Sequence, residues 1–140
     1  MDMPKTNTAI TTRALIVGLG ETGLSCAKYL AAQGMQIAIT DSRQHPPALQ
    51  RVREQLPDVA LFLGGFQESV FASADMLVVS PGVAVDTREI RLAQAAGARV
   101  LGDVEVFAQA TAVPVAAITG SNGKSTVTTL LGLMANAAQV

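Results

Sequence analysis

The sequence is poor in side chains that bind metals or stack on bases. It has one cysteine, one histidine and no tryptophan, and its only aromatic residues are four phenylalanines and one tyrosine. A single cysteine excludes a disulfide within the chain, and one cysteine with one histidine argues against a zinc site. The shortage of aromatic residues argues against a single-stranded nucleic-acid platform, because such platforms stack bases on aromatic rings.

The chain also lacks an excess of charge of either sign, and it lacks long apolar runs. Ten Lys and Arg stand against eleven Asp and Glu, so the basic excess that is typical of nucleic-acid-binding domains is absent. No apolar run approaches the roughly 20 residues that span a bilayer, and the segment 1–12 lacks the apolar centre of a signal peptide. With the lone Cys26, these absences predict a cytoplasmic protein that has no nucleic-acid or membrane partner.

The sequence does contain alternating strand-like and helix-like segments. Short apolar runs such as Arg13–Gly18 and Met76–Ser80 are typical of strands that are buried on both faces, and the apolar residues between them follow helical spacing. Five such units predict an α/β, Rossmann-like parallel sheet in the order 3-2-1-4-5 with helices on both faces. This order places a crevice at the carboxyl ends of the first and fourth strands.

A boundary is predicted at Thr111–Pro114. Residues 1–111 are predicted to form one domain, and residues 112–140 the first β-loop-α unit of a second domain, with a strand over 115–119 and a helix over 127–138. That helix is strongly apolar, so without a sheet to cover it we expect disorder, packing on the first domain or self-association.

A glycine motif follows the first predicted strand. The segment 18–23 reads Gly-Leu-Gly-Glu-Thr-Gly, in which the glycines permit a tight turn, close approach of a phosphate, and close helix packing. Asp41 ends the second strand, where an acidic residue can bind a ribose or a base edge. Ser80-Pro81-Gly82 closes the fourth strand and should face the glycine loop. NAD, a flavin or a nucleotide-sugar could use this site, and a plain turn is the alternative.

A second glycine loop precedes the last predicted helix, and it consists of Gly120, Ser121, Asn122, Gly123, Lys124, Ser125 and Thr126. Backbone N–H groups, a helix N-terminus and a lysine together attract phosphate, and the hydroxyl of Ser125 is placed to bind Mg²⁺. Ile118 stands where the full Walker pattern has its first glycine. The segment therefore predicts a shortened triphosphate-binding loop.

These motifs together resemble the Mur ligase family of peptidoglycan synthesis. The resemblance covers residues 13–140, and its most specific part is the shortened phosphate loop, a form that the family shares. The segments that carry it are 18–25, 41–43, 79–82, 102–107 and 117–130.

The resemblance implies an ATP-dependent ligase, and it is greatest to the members that add D-glutamate to UDP-N-acetylmuramoyl-L-alanine through an acyl phosphate. It implies that the loop 120–126 binds ATP, with Lys124 catalytic and Ser125 on Mg²⁺. It also implies that the first domain binds the UDP moiety through Gly20, Glu21, Thr22, Asp41, Ser42, Arg43, Ser80 and Gly82.

In the family, further Mg²⁺ ligands, a modified lysine and the amino-acid-binding domain lie beyond the position that corresponds to residue 140. We therefore expect the chain to be an N-terminal fragment that binds UDP and is inactive by itself. Two other interpretations stay open. One is a non-catalytic NAD- or nucleotide-binding regulatory module, which would have no use for the loop 120–126. The other is a sister Mur or folylpolyglutamate-type ligase.

Overall fold

The computed structural model describes residues 11–139, so most of the segment on which the signal-peptide prediction rests lies outside the described residues. The chain separates into one compact unit that runs to Ala110 and another that begins at Thr111. Strands and helices alternate in the first unit: β1 (Arg13–Val17), α1 (Glu21–Ala32), β2 (Gln36–Asp41), α2 (Leu49–Gln55), β3 (Ala60–Leu63), α3 (Glu68–Ala72), β4 (Met76–Val79), α4 (Arg88–Ala95), β5 (Arg99–Gly102) and α5 (Asp103–Ala110).

The five strands form one parallel sheet in the order β3-β2-β1-β4-β5, which confirms the predicted topology. In the register of the sheet, Leu15 of β1 pairs with Ala38 of β2 on one side and with Leu77 of β4 on the other. The central strands are apolar from Ala14 to Val17 in β1 and from Met76 to Val79 in β4, because the sheet is covered on both faces. Reversal of the strand order between β1 and β4 opens a crevice at their carboxyl ends.

Successive side chains of each strand point to opposite faces, and two separate cores result. On one face Ile16, Ile39 and Val78 pack against α1, α2 and α5. On the other face Leu15 and Leu77 pack against α3 and α4. The prediction that helices cover both faces is confirmed.

The second unit has one helix, α6 (Lys124–Ala138), within its described residues. The strand predicted over 115–119 is absent, because a strand needs a hydrogen-bonded neighbour and the described part of this unit contains no other strand. The apolar side chains of α6 are exposed, namely Val127, Leu130, Leu131, Leu133 and Met134. Within residues 11–139 no helix has the length and apolar content to cross a membrane.

Candidate functional site

A cleft of about 480 Å³ opens at the carboxyl ends of β1, β2 and β4, where the strand order reverses. It brings together all eight residues that the sequence predicts for UDP binding. Its lining consists of Gly18, Gly20, Glu21, Thr22, Asp41, Ser42, Arg43, Ser80, Pro81, Gly82 and Val83.

Three glycines shape the passage from β1 into α1, each for a different reason: Gly18 and Gly20 lie in the loop, and Gly23 lies in the first turn of α1. Gly18 has a φ of +99°, a left-handed conformation that favours glycine. A Cβ at Gly23 would lie 2.0 Å from the carbonyl oxygen of Gly18, so α1 can approach β1 only without a side chain there. Around Gly20 nothing lies within 4 Å of a Cβ position, so this glycine leaves room for a ligand.

The first turn of α1 lines the cleft with Glu21 and Thr22. The first N–H groups of a helix have no partner within the helix, and they attract anions. The Glu21 carboxylate accepts a hydrogen bond from Nη2 of Arg51, on α2, at 2.8 Å. This exposed ion pair partly offsets the negative charge that Glu21 brings to the edge of the cleft.

Asp41 is buried at the end of β2, with 2% of its side chain exposed. Its Oδ1 accepts hydrogen bonds from the backbone N–H and from Nε of Arg43, both at 2.8 Å. Its Oδ2 accepts hydrogen bonds from the backbone N–H of Leu19 and from Nη2 of Arg43, both at 2.7 Å. Burial alone would raise the pKa of this carboxyl, but the hydrogen bonds from Arg43 and Leu19 outweigh it and hold the pKa below its ordinary value.

The turn after β4 forms the opposite wall. The Ser80 hydroxyl donates a hydrogen bond to the carbonyl oxygen of Gly18 at 3.1 Å, and the Ser80 N–H donates to the carbonyl oxygen of Val17 at 2.9 Å. The Gly18 N–H in turn donates to the carbonyl oxygen of Thr40 at 2.8 Å. The ends of β4, β1 and β2 are thus joined through a single glycine.

The predicted phosphate loop lies in the second unit. Gly120 and Gly123 have φ values of +151° and +76°, which side chains rarely adopt. Lys124 is the first residue of α6, and its ammonium group donates a hydrogen bond to the carbonyl oxygen of Gly120. The loop thus combines two glycines of positive φ with a helix N-terminus and a lysine, and its binding of phosphate stays a prediction.

Metal ligands are scarce in the part of the chain that the structure describes. No group of three or more His, Cys, Asp or Glu side chains could hold a metal ion there. Ser125 follows Lys124 at the start of α6 and is exposed. A Mg²⁺ ion at this position would depend on the Ser125 hydroxyl together with oxygens of a bound nucleotide.

Sequence reasoning missed one residue that lines the cleft, Val83, and two residues that contact its lining from outside, Leu19 and Arg51. Val83 directly follows the motif Ser80-Pro81-Gly82, so its position in the sequence could have predicted its place in the cleft. The N–H of Leu19 and the side chain of Arg51 act through contacts with Asp41 and Glu21, which are 22 and 30 residues away in the sequence. Nothing in the local pattern indicates such long-range pairs.

Comparison with known proteins gives concordant results. The profile of the family described as Mur ligase MurD-like, N-terminal domain, matches residues 12–102. The UDP-N-acetylmuramoylalanine–D-glutamate ligase of Marinobacter nauticus is 55% identical over 126 residues, which are 90% of this chain and 28% of that protein. The ligase of the same name from Methylococcus capsulatus is 53% identical over 131 residues, 94% of this chain and 28% of that protein. The chain thus spans about 28% of the length of these relatives.

Solved structures show the same fold at low sequence identity. A pseudomurein peptide ligase type C from Methanothermus fervidus superposes with a TM-score of 0.60 at 23% identity, over 83% of this chain and 24% of that one. The UDP-N-acetylmuramate–alanine ligase MurC from Thermotoga maritima gives a TM-score of 0.57 at 16% identity, over 70% of this chain and 22% of that one.

Proposed function

Because the chain belongs to the family of Mur ligases with a MurD-like N-terminal domain, we propose that its first unit binds the UDP part of UDP-N-acetylmuramoyl-L-alanine. The proposal rests on one observation: all eight predicted residues line a single cleft, at the point where the strand order of the sheet reverses. Relatives that are 55% and 53% identical carry the name of the ligase that acts on this substrate with D-glutamate.

The chemistry of the cleft suits a nucleoside diphosphate. The N-terminus of α1 offers N–H groups and positive potential to the phosphates. Arg43 and Ser42 at the end of β2 stand where nucleosides lie in sheets of this topology. A volume of about 480 Å³ falls within the range of pockets that bind small molecules.

The hydrogen bonds that the Asp41 carboxylate accepts argue against the alternative of an NAD-binding module. In such a module the acidic residue at the end of the second strand accepts hydrogen bonds from ribose hydroxyls. Here both carboxylate oxygens already accept hydrogen bonds from Arg43, and one of them accepts a further bond from Leu19. The choice of D-glutamate over another amino acid rests on the relatives' names and stays a prediction.

For the second unit, we propose that the loop 120–126 binds the phosphates of ATP, with Ser125 on Mg²⁺. Bound Mg·ATP would supply the phosphoryl group that activates a carboxylate for attack by an amine. Lys124 would exchange its contact with the Gly120 carbonyl for a phosphate oxygen, where its charge offsets the charge of the transferred group. Since the chain spans only about 28% of its relatives' length, we expect the 140 residues to have no ligase activity by themselves.

Two further predictions accompany this proposal. A cytoplasmic location agrees with a single cysteine, Cys26, which is a free buried thiol. Self-association through the helix predicted over 127–138 stays a prediction, and the reason for it is that the apolar side chains of α6 are exposed. Light scattering on the chain and on a variant that ends at Ala110 tests it, because only the longer protein should form larger species.

The central test is a titration of the chain with UDP, NAD⁺ and Mg·ATP, followed by backbone amide chemical shifts. We expect UDP to shift the amides of Glu21, Thr22 and Ser42, and Mg·ATP to shift those of Lys124 and Ser125. We expect Arg43→Ala to weaken the response to UDP and Arg53→Ala, its matched control, to leave that response unchanged, because Arg53 is an exposed α2 arginine outside the cleft. Shifts at Glu21 with NAD⁺ and none with UDP would replace the proposal by the regulatory-module interpretation.

A further inference from the structure

We propose that Asp41 is a positioning residue that makes no contact with the ligand and acts by holding Arg43 and the glycine loop in place. The inference rests on the proposed binding of UDP, and it revises the prediction that Asp41 itself contacts the uracil or the ribose. Arg43 becomes the residue that contacts the nucleoside at the end of β2.

The first argument is the hydrogen-bonding capacity of the carboxylate. An ionised carboxylate offers about four lone-pair sites on its two oxygens. In Asp41 each oxygen accepts two hydrogen bonds, at distances between 2.7 and 2.8 Å. No acceptor site is left for a ribose hydroxyl or for an N–H of a base.

The second argument is the cost of releasing the carboxylate. With 2% of the Asp41 side chain exposed, a ligand could reach it only by displacing Arg43. The guanidinium forms a bidentate, charge-assisted pair, which is stronger than a hydrogen bond from a neutral hydroxyl. Displacement would also leave a buried charge without its partner, which is strongly unfavourable. The pair should therefore persist when the ligand binds.

Arg43, in contrast, keeps free donors on the cleft. A guanidinium has five N–H groups, and the side chain of Arg43 uses two of them on Asp41 through Nε and Nη2. About half of its side chain, 54%, is exposed, and within residues 11–139 no acceptor contacts its Nη1. This corner of the cleft therefore presents donors, which suit the carbonyl oxygens of a base.

Asp41 also couples two parts of the cleft. Its Oδ2 accepts hydrogen bonds from the Leu19 N–H in the glycine loop and from the Arg43 side chain after β2. A bidentate Arg–Asp pair does not by itself position a binding site, as the Arg13–Asp75 pair shows. It is also bidentate, but both of its partners are about half exposed and it lies outside the cleft.

The test measures the dissociation constant of UDP by calorimetry for the chain and for Asp41→Asn, Arg43→Ala and the double variant. Asparagine keeps the shape of the side chain, and its oxygen can still accept hydrogen bonds from Leu19 and from Nη2 of Arg43. Its amide nitrogen cannot accept the bonds that Oδ1 receives from Arg43, so the bidentate, charge-assisted pair is lost. We expect each single substitution to weaken binding about tenfold, and the double variant to bind no more weakly than the weaker single variant. Circular dichroism establishes that each variant is folded, and Arg53→Ala is the control.

Additive losses, about a hundredfold in the double variant, would mean that Asp41 contacts the ligand independently, and would overturn the inference while leaving UDP binding intact. No binding of UDP by the unsubstituted chain would overturn the proposed function and this inference with it.

A second readout separates positioning of Arg43 from a merely structural role. Cytosine carries an amino group in place of one uracil carbonyl, so a donor-lined corner should favour UDP over CDP. We expect Asp41→Asn and Arg43→Ala to reduce this preference equally, and Arg43→Lys to leave it reduced, because lysine cannot form the bidentate pair. If the preference is absent from the unsubstituted chain, or survives in Asp41→Asn, the inference fails.

Discussion

Gly20 and Gly23, three residues apart, serve the cleft in opposite ways. We expect Gly23→Ala to destabilise the first unit by about 1–3 kcal/mol, because the new Cβ would meet the backbone oxygen of Gly18 and force α1 away from β1. We expect Gly20→Ala to leave stability nearly unchanged, since Gly20 has a φ of −104° and open space around it, but to weaken UDP binding. Urea unfolding and calorimetry on both variants measure the two effects. The reverse pattern would show that the glycine roles are misassigned.

Thr40 has a fully buried hydroxyl with no hydrogen-bond partner within the described residues. An unpartnered buried polar group is costly, so Thr40→Val, which keeps the shape of the side chain, should stabilise the unit by about 1 kcal/mol. The measurement is the midpoint of urea unfolding. Thr87→Val is the control, because its hydroxyl donates to the carbonyl oxygen of Ala84 and its loss should not be stabilising. A lower midpoint for Thr40→Val would contradict the prediction.

For single residues, the sequence predicted the positions of the cleft side chains better than it predicted their hydrogen-bond partners. The spacing from the glycine loop indicated that Asp41 ends β2, because strand length and motif spacing are local properties. The bonds to Arg43 and Leu19 depend on how the loops fold back after both strands end. The pair of Glu21 and Arg51 depends on the packing of α1 near α2, which no local pattern indicates.

Among the elements, β1 and β4 are linked at their start by an ion pair. Asp75 accepts hydrogen bonds from the backbone N–H, Nε and Nη2 of Arg13, and the bonds from Arg13 hold the pKa of its carboxyl below the ordinary value. A carboxyl whose pKa is lower in the folded state stabilises the fold above its unfolded pKa of about 3.9. That contribution is lost as the pH falls through the folded value.

Asp75→Asn should therefore lower the urea midpoint at pH 7, and the difference from the unsubstituted chain should shrink as the pH falls below about 4. Asp58→Asn is the matched control, because Asp58 is exposed and has no ion-pair partner within residues 11–139. A midpoint difference that is constant with pH would mean that the pair does not act through the charge of Asp75.

The elements themselves were predictable where burial on two faces leaves an unbroken apolar run, as in β1 and β4. The segment 115–119 has a similar composition but no regular structure. A strand forms only where neighbouring strands pair with it, so an apolar composition is not sufficient to predict one. Helix α6 begins at Lys124, three residues before the predicted start, because the polar residues after Gly123 continue into the first helical turn.

For the molecule as a whole, the first unit should fold by itself. Both hydrophobic cores consist of residues between Ala14 and Val106, and the unit ends at Ala110. We expect a variant that ends at Ala110 to keep the melting temperature and the UDP dissociation constant of the chain, as measured by circular dichroism and calorimetry. A clear fall in either value would show that the first unit depends on residues after Ala110.

The hydrogen bonds that join β4 and β2 through Gly18 have a consequence for the thermodynamics and kinetics of binding. A ligand that orders mobile loops loses part of its affinity to the entropy of those loops. In this cleft the walls are already joined, by Ser80 on one side and by the Thr40 carbonyl on the other. Encounter with a nucleotide should therefore be a single-step process, with a rate set by diffusion and orientation and not by closure of the site.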